Sequence, residues 1–153
     1  MNIGSDSKYP ASKLSNFTGF EFTLYGEFCA SAEGCLQSFK YENLNAQMIT
    51  RTLVGKKAKF KGKKRNKHWK QSQTLFFKDV TYPRKSKEYQ ILLDDMYEAL
   101  YLNPNFRKAL KACPKGTVFT HSMGNNNKKE TVLTEQEFCS RLQKLHTRVW
   151  EGN

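Results

Sequence analysis

Two stretches of helical periodicity constrain this chain most. After Ser86, the apolar residues Tyr89, Leu92, Leu93, Met96 and Leu100 keep the spacing that lines one face of an α-helix. Ser86 suits the N-cap, so the pattern predicts a helix to about Leu102. Farther on, Thr134-Glu135-Gln136-Glu137 reads as a capping box. Phe138, Leu142, Leu145 and Val149 then carry the apolar face of a last helix to about Trp150. Asn103-Pro104 restarts a short helix between them, with Asn as cap and Pro at the first helical position. It runs to about Cys113, before the Pro114 to Gly116 stop.

Strand signals are shorter. Phe20, Phe22 and Leu24 alternate with Glu21, Thr23 and Tyr25, which predicts a half-buried strand over 20–28 that loses regularity at Gly26 and Glu27. Thr74 to Tyr82 reads as a second strand closed by Pro83, and Thr117 to His121 as a third. Asn45 is read as the cap of a helix over 46–54, with Met48, Ile49, Thr52 and Leu53 buried and Gly55 as its stop. These segments do not alternate as βαβ units, and no internal repeat is visible. The expected class is α+β: a mainly helical single domain with four or five helices and about three short strands. Residues 1–13 are polar and read as an arm, either a leader strand or loose; the domain is expected over 14–153.

Charge narrows the partner. The 153 residues carry a net charge of +12, which favours an anionic partner: nucleic acid, a phosphorylated small molecule or an anionic surface. A membrane partner is not expected, because the chain has neither a long apolar run nor a signal-peptide pattern. Cys29, Cys35, Cys113 and Cys139 form no C-x-x-C pair, and His68, His121 and His146 do not join them at zinc spacing. The cysteines read as reduced, mostly buried thiols of a cytoplasmic protein, with no metal and no cofactor. No phosphate-binding glycine loop or nucleophile elbow is present. Asp94 and Asp95 are adjacent and point to different helix faces, which argues against a two-metal site.

Three features hold chemistry. Ser31 to Lys40 reads as the start of a helix running to about Asn43, capped by Ser31. On it Glu33, Gln37 and Lys40 form one polar stripe beside the apolar Ala32, Cys35, Leu36 and Phe39. Spacing alone leaves that stripe open to two readings, a solvated face or a row of reactive groups. Lys56 to Lys70 is a basic run without an acid, interrupted by Phe60, His68 and Trp69. It is read as a loop with short regular pieces, suited either to phosphates and stacked bases or only to solvent. Trp69 is expected to stack on a ligand, since a core indole would require the run to fold back. His121, at a strand end before a polar loop, is either structural or part of a site.

Taken in order, these stretches resemble the NADAR superfamily of YbiA-like N-glycosidases. Ser15-Asn16-Phe17 is similar to its S-N-F element, and Ser31-x-Glu33 with Gln37 and Lys40 to its S-x-E-x-x-x-Q-x-x-K helix. Arg65 to Trp69 resembles an R-x-x-[D/H]-W element; 103–110, Thr120-His121-Ser122 and 133–138 resemble the C-terminal half. The resemblance spans about residues 14–148 and implies a hydrolase of N-glycosidic bonds. Known activities of the superfamily include cleavage of ribosylamino riboflavin precursors and removal of ADP-ribose from modified guanine in nucleic acid. It implies catalytic roles for Glu33 and Lys40, and substrate binding by Asn16, Phe17, Gln37, Trp69 and His121. Lys56, Lys57 and Arg65 are expected to contact phosphates or nucleic acid.

The expected substrate is thus an ADP-ribosyl or other N-ribosylated compound, either free or carried on DNA or RNA. The alternatives are a hydrolase of small N-ribosylated metabolites or NAD, and a binding module without catalysis. One departure matters: the loop Ser122-Met123-Gly124-Asn125-Asn126-Asn127 has no carboxylate before Glu130, where many members place an acid.

Overall fold

The computed structural model describes residues 1–152. Two hairpins and seven helices follow one another: β1 (Phe22–Leu24), β2 (Glu27–Cys29), α1 (Ala32–Ser38), α2 (Leu44–Arg51), α3 (Gly55–Lys63), α4 (Asn66–Ser72), β3 (Thr74–Phe77), β4 (Val80–Pro83), α5 (Lys87–Tyr101), α6 (Pro104–Lys111) and α7 (Glu135–Trp150). The α+β, mainly helical class is as expected, with more elements than the sequence suggested. No helix among the described residues is long and apolar enough to cross a membrane.

The later helices form where their caps lie. Ser86 accepts from Tyr89 N–H, Asn103 from Asn105 and Phe106 N–H, and both halves of the Thr134–Glu137 capping box are present. The periodic apolar face of α5, from Tyr89 to Leu100, is buried and centres the core. Helices α6 and α7 and the first hairpin pack on α5.

The two longer strands expected from sequence are instead hairpins. In the first, Tyr25 and Gly26 both take positive φ, at 50° and 83°, and close a two-residue turn between Leu24 and Glu27. In the second, Lys78 takes φ 56° between Phe77 and Val80. The side-chain amide of Gln47 holds that left-handed lysine. Its Oε1 accepts from Lys78 N–H at 2.8 Å and its Nε2 donates to Lys78 C=O at 3.0 Å.

Gln47 also corrects the reading of α2. Its cap is Asn43, and its buried residues are Gln47, Thr50 and Arg51, while Met48 and Ile49 are exposed. Polar groups can occupy the inner face because they are satisfied there: Thr50 Oγ1 donates to Ala46 C=O, and Arg51 faces Glu27 at 3.6 Å. Gly55, at φ +59°, opens α3.

The basic run is not a loop. It folds into α3 and α4, which dock through small or flat residues: Ala58, Gly62 and Trp69 are buried while most of the lysines point outward. The Thr117 to His121 segment forms one parallel bridge, Asn2 with Thr120. That bridge ties the arm down: Ile3 N–H donates to Thr120 C=O at 2.8 Å, and Ile3 is fully buried.

Candidate active site

The site is built on α1. Ser31 Oγ accepts from Gly34 N–H at 2.9 Å and donates to Leu53 C=O at 2.9 Å, so one hydroxyl caps α1 and fixes it to the end of α2. Gly34 makes the contact possible: a Cβ there would lie 2.4 Å from Leu53 O. Glu33 N–H donates to Asn16 C=O at 3.0 Å, which joins the Ser-Asn-Phe element to the first turn. The Glu33 carboxylate therefore sits in the first turn of a short helix, on a backbone tied from two sides.

Glu33 lines a cavity of about 610 Å³. Helix α1 contributes Glu33, Leu36 and Gln37; α3 adds Lys59, and the Ser15 to Phe17 segment adds Asn16 and Phe17. The opposing walls come from two distant parts of the chain, the arm from Asn2 to Ser7 and the 121–125 and 131–134 segments. Asn2 Oδ1 accepts from Ser122 N–H at 2.8 Å, which holds those two walls together. Tyr89 OH donates to Val132 C=O at 2.5 Å and so anchors the 131–134 wall on the core.

Gln37 orients the acid. Its Nε2 donates to Glu33 Oε2 at 2.7 Å, one turn away on the same face. Gln37 is only 8% exposed, and its Oε1 has no hydrogen-bond partner. That oxygen lies against Gly62 of α3, where a Cβ would come within 1.8 Å of it. Gly62 is thus the notch that receives the Gln37 amide. Burial raises the Glu33 pKa; the Gln37 hydrogen bond and the charges of Lys40, Lys59 and His121 oppose that rise without cancelling it.

His121 reaches the cavity with a defined tautomer. Its Nδ1 lies 2.7 Å from Ile3 C=O, and a carbonyl can only accept, so that nitrogen carries hydrogen. The free Nε2 is then an acceptor in the neutral ring and a donor in the imidazolium. The ring packs edge-on against Phe138, and Gly124 leaves the room it needs: a Cβ there would lie 2.9 Å from His121 Cδ2. Asn16 Oδ1 accepts from Tyr97 OH at 2.9 Å, which leaves the Asn16 amide hydrogens for a ligand.

The expected site residues therefore divide. Glu33, Gln37, Asn16, Phe17 and His121 meet at one cavity. Lys40 does not line it. Helix α1 ends at Ser38, and Lys40 turns away to donate from Nζ to Asn66 Oδ1 at 2.5 Å. It is 6% exposed, and burial lowers its pKa to about 8 against the opposing pull of Glu33. Lys40 thus bears on Glu33 through its charge, from outside the cavity lining.

Trp69 is a correction. It is 1% exposed and belongs to the hydrophobic core, so it cannot stack on a base. The run did fold back, because α4 turns the indole inward. Lys56 and Lys57 lie exposed on α3 outside the cavity, and Arg65 lies over the Tyr41 ring with Nε toward Lys40 C=O. The basic residue at the cavity is Lys59, not singled out from sequence; its signal was its place one residue after the buried Ala58. Asp6 and the arm were likewise missed, since only tertiary contact brings them to the cavity. No group of His, Cys, Asp and Glu among the described residues could hold a metal ion.

Fold and site together define a class: a small α+β domain whose first helix presents one acid, steadied by a glutamine, to a cavity roofed by an N-terminal segment. The chain belongs to the bacteriophage protein GP30.3 family, whose model matches residues 8–147. An uncharacterized 17.1 kDa protein of the Gp30-rIII intergenic region of Enterobacteria phage T4 is 34% identical over 147 residues, 95% of each chain. Among solved structures, the NMR structure of E. coli YbiA has the same fold. The TM-score is 0.59 over 99% of this chain and 85% of that one, at 14% identity. That likeness in fold agrees with the NADAR resemblance.

Proposed function

We propose that this protein is an N-glycosidase that hydrolyses a ribosyl C–N bond, with Glu33 as its catalytic carboxylate. One observation carries the reading: Glu33 lines the cavity, is raised in pKa by burial and receives one side-chain amide. A carboxylate kept so poorly satisfied is costly to a fold and useful to a reaction.

As the C1′–N bond breaks, its electron pair leaves with the base nitrogen, and positive charge grows on C1′ and the ring oxygen. The Glu33 carboxylate stabilises that charge. Water adds to C1′, and its proton passes to Glu33 as general base. The departing nitrogen takes a proton from solvent or from the imidazolium form of His121, whose Nε2 is free. Gln37 fixes the carboxylate, and Lys40 supports its charged form from behind. Phe17 is the aromatic side chain available to the base, and Lys59 the cation for a phosphate.

The substrate class we favour is ADP-ribose on guanine in DNA or RNA. The +12 charge and the outward lysines of α3 and α4 support a polyanion over a neutral metabolite. Four free cysteines fit a cytoplasmic setting. A non-catalytic binding module is the second reading, favoured by the missing carboxylate in the 122–127 loop.

The test is incubation with ADP-ribosylated DNA and RNA oligonucleotides, a ribosylamino-pyrimidine and NAD, with released sugar and base read by mass spectrometry. The expected result is release of ADP-ribose from the oligonucleotides, reduced on the order of a thousandfold or more by Glu33→Gln. Turnover of only the small compounds would assign a metabolite hydrolase. Salt-dependent binding with no turnover of any of them would assign the binding module.

A further inference from the structure

Many carboxylates of this chain are engaged by a partner group. Glu27, Asp94, Glu98, Glu130 and Glu137 each face a lysine or arginine, Asp95 accepts from Tyr25, and Glu33 accepts from Gln37. Asp6 has no hydrogen-bond or ion-pair partner among the described residues, yet it lines the cavity. Glu33 is the other acid of that cavity and is held by Gln37, so in a chain of net charge +12 an unpartnered carboxylate facing the same space asks for a reason.

Its placement is built. Ser7 N–H donates to Gly4 C=O at 3.0 Å, which closes a turn with Ser5 and Asp6 at its tip. Ser7 Oγ donates back to Asn2 C=O at 3.3 Å. The strand before the turn is pinned at Ile3, whose N–H and C=O bind Thr120 and His121, and at Asn2, whose side chain binds Ser122. The tip is therefore presented to the cavity by the same contacts that hold His121.

We infer that Asp6 is a specificity-determining residue whose carboxylate accepts hydrogen bonds from the vicinal hydroxyls of the substrate's ribose. This rests on the N-ribosyl reading of the cavity. An ionised carboxylate only accepts, and two neighbouring hydroxyls offer two donors at matching separation. Anionic parts of the substrate are repelled from Asp6 and drawn to Lys59, on a different wall. The two charges together set one orientation, with sugar hydroxyls toward the arm and phosphate toward α3. The arm thereby supplies a second acid at the cavity, where the 122–127 loop has none.

The test uses binding rather than turnover, so an inactive protein still answers it. Ribose 5-phosphate and 2-deoxyribose 5-phosphate are titrated into the full chain and into Asp6→Ala, followed by NMR shifts of cavity residues. The wild type is expected to bind the ribose compound on the order of tenfold tighter, the loss expected when a charge-assisted hydrogen bond is missing. Asp6→Ala is expected to erase that preference by weakening only the ribose compound, with Tm unchanged because Asp6 is exposed and unpartnered. Asp6→Glu should recover part of it. A preference that survives in Asp6→Ala overturns the inference, as does a wild type that binds the two sugars equally or binds neither. Failure of the glycosidase reading appears instead as absence of turnover in the oligonucleotide assay.

Discussion

Glu33 and Glu137 are both drawn into the protein beside the same cavity, and their surroundings are opposite. Glu137 accepts four hydrogen bonds: from Arg84 at 2.7 and 3.1 Å, from Gln90 at 2.6 Å and from Thr134 N–H at 2.8 Å. Burial works to raise its pKa, but Arg84, Thr134 and Gln90 bring it down to about 2. Glu33 has one amide donor, and there burial prevails. A carboxylate whose lone pairs are filled is part of the framework. One left hungry in a cavity is held ready for something that comes and goes. The framework acid also serves the other, because Arg84 Nε donates to Thr131 C=O at 2.9 Å and so fixes the wall opposite Glu33.

The largest expected effect falls on the framework side. Glu137→Ala leaves the fully buried Arg84 without its counter-charge and removes the capping box of α7. Breaking a buried pair from one side costs about 3–5 kcal/mol, to be read as a lower urea midpoint at unchanged slope. A loss no larger than that of a surface substitution would mean that the four bonds do not distinguish Glu137 from Glu33.

Next comes the notch. Gly62→Ala drives a methyl into the Gln37 amide, and overpacking of this kind costs about 1–3 kcal/mol. Gln37 must shift, and Glu33 loses the donor that aims it. At a temperature where the variant is fully folded, kcat should fall on the order of tenfold, with KM much less affected. Unchanged kcat in a destabilised Gly62→Ala protein would show that Gln37 is packing, and that Glu33 needs no aiming.

The contrast between the two acids was only half legible in the sequence. Glu137 was readable through Thr134, because a capping box is a local pattern; its partner Arg84 lies 53 residues away and gave no sign. Glu33 and Gln37 were readable as an i, i+4 pair, but spacing could not tell a solvated stripe from a cavity floor. Helices α5, α6 and α7 were plain because their caps and apolar periods agree. Helices α3 and α4 were hidden because lysines carry no apolar period, although they are good helix formers. Their docking rests on Ala58, Gly62 and Trp69, too few for a moment to emerge. The second hairpin was hidden because its turn residue, Lys78, is left-handed only through Gln47, 31 residues away. Asp6 and Lys59 belong to elements that meet only in the folded chain.

The smallest effect is the most discriminating, because the two acids bend stability in opposite directions with pH. Glu137 has a folded pKa below its unfolded value of about 4.3, so its stabilisation is complete above that value and is lost as pH falls toward about 2. Glu33 has a folded pKa above the unfolded one, so the folded state holds its proton more tightly and stability declines as pH rises through that window. Glu33→Gln removes only the second slope. Its Tm should match the wild type near pH 4 and exceed it by a few degrees at higher pH. The gain stays small because Lys40, already held down to about 8, loses the opposing pull of the Glu33 charge in the same substitution. A Tm difference independent of pH, or a less stable Glu33→Gln protein, would show Glu33 to be as well satisfied in the fold as Glu137 and would remove the physical basis for giving it the chemistry.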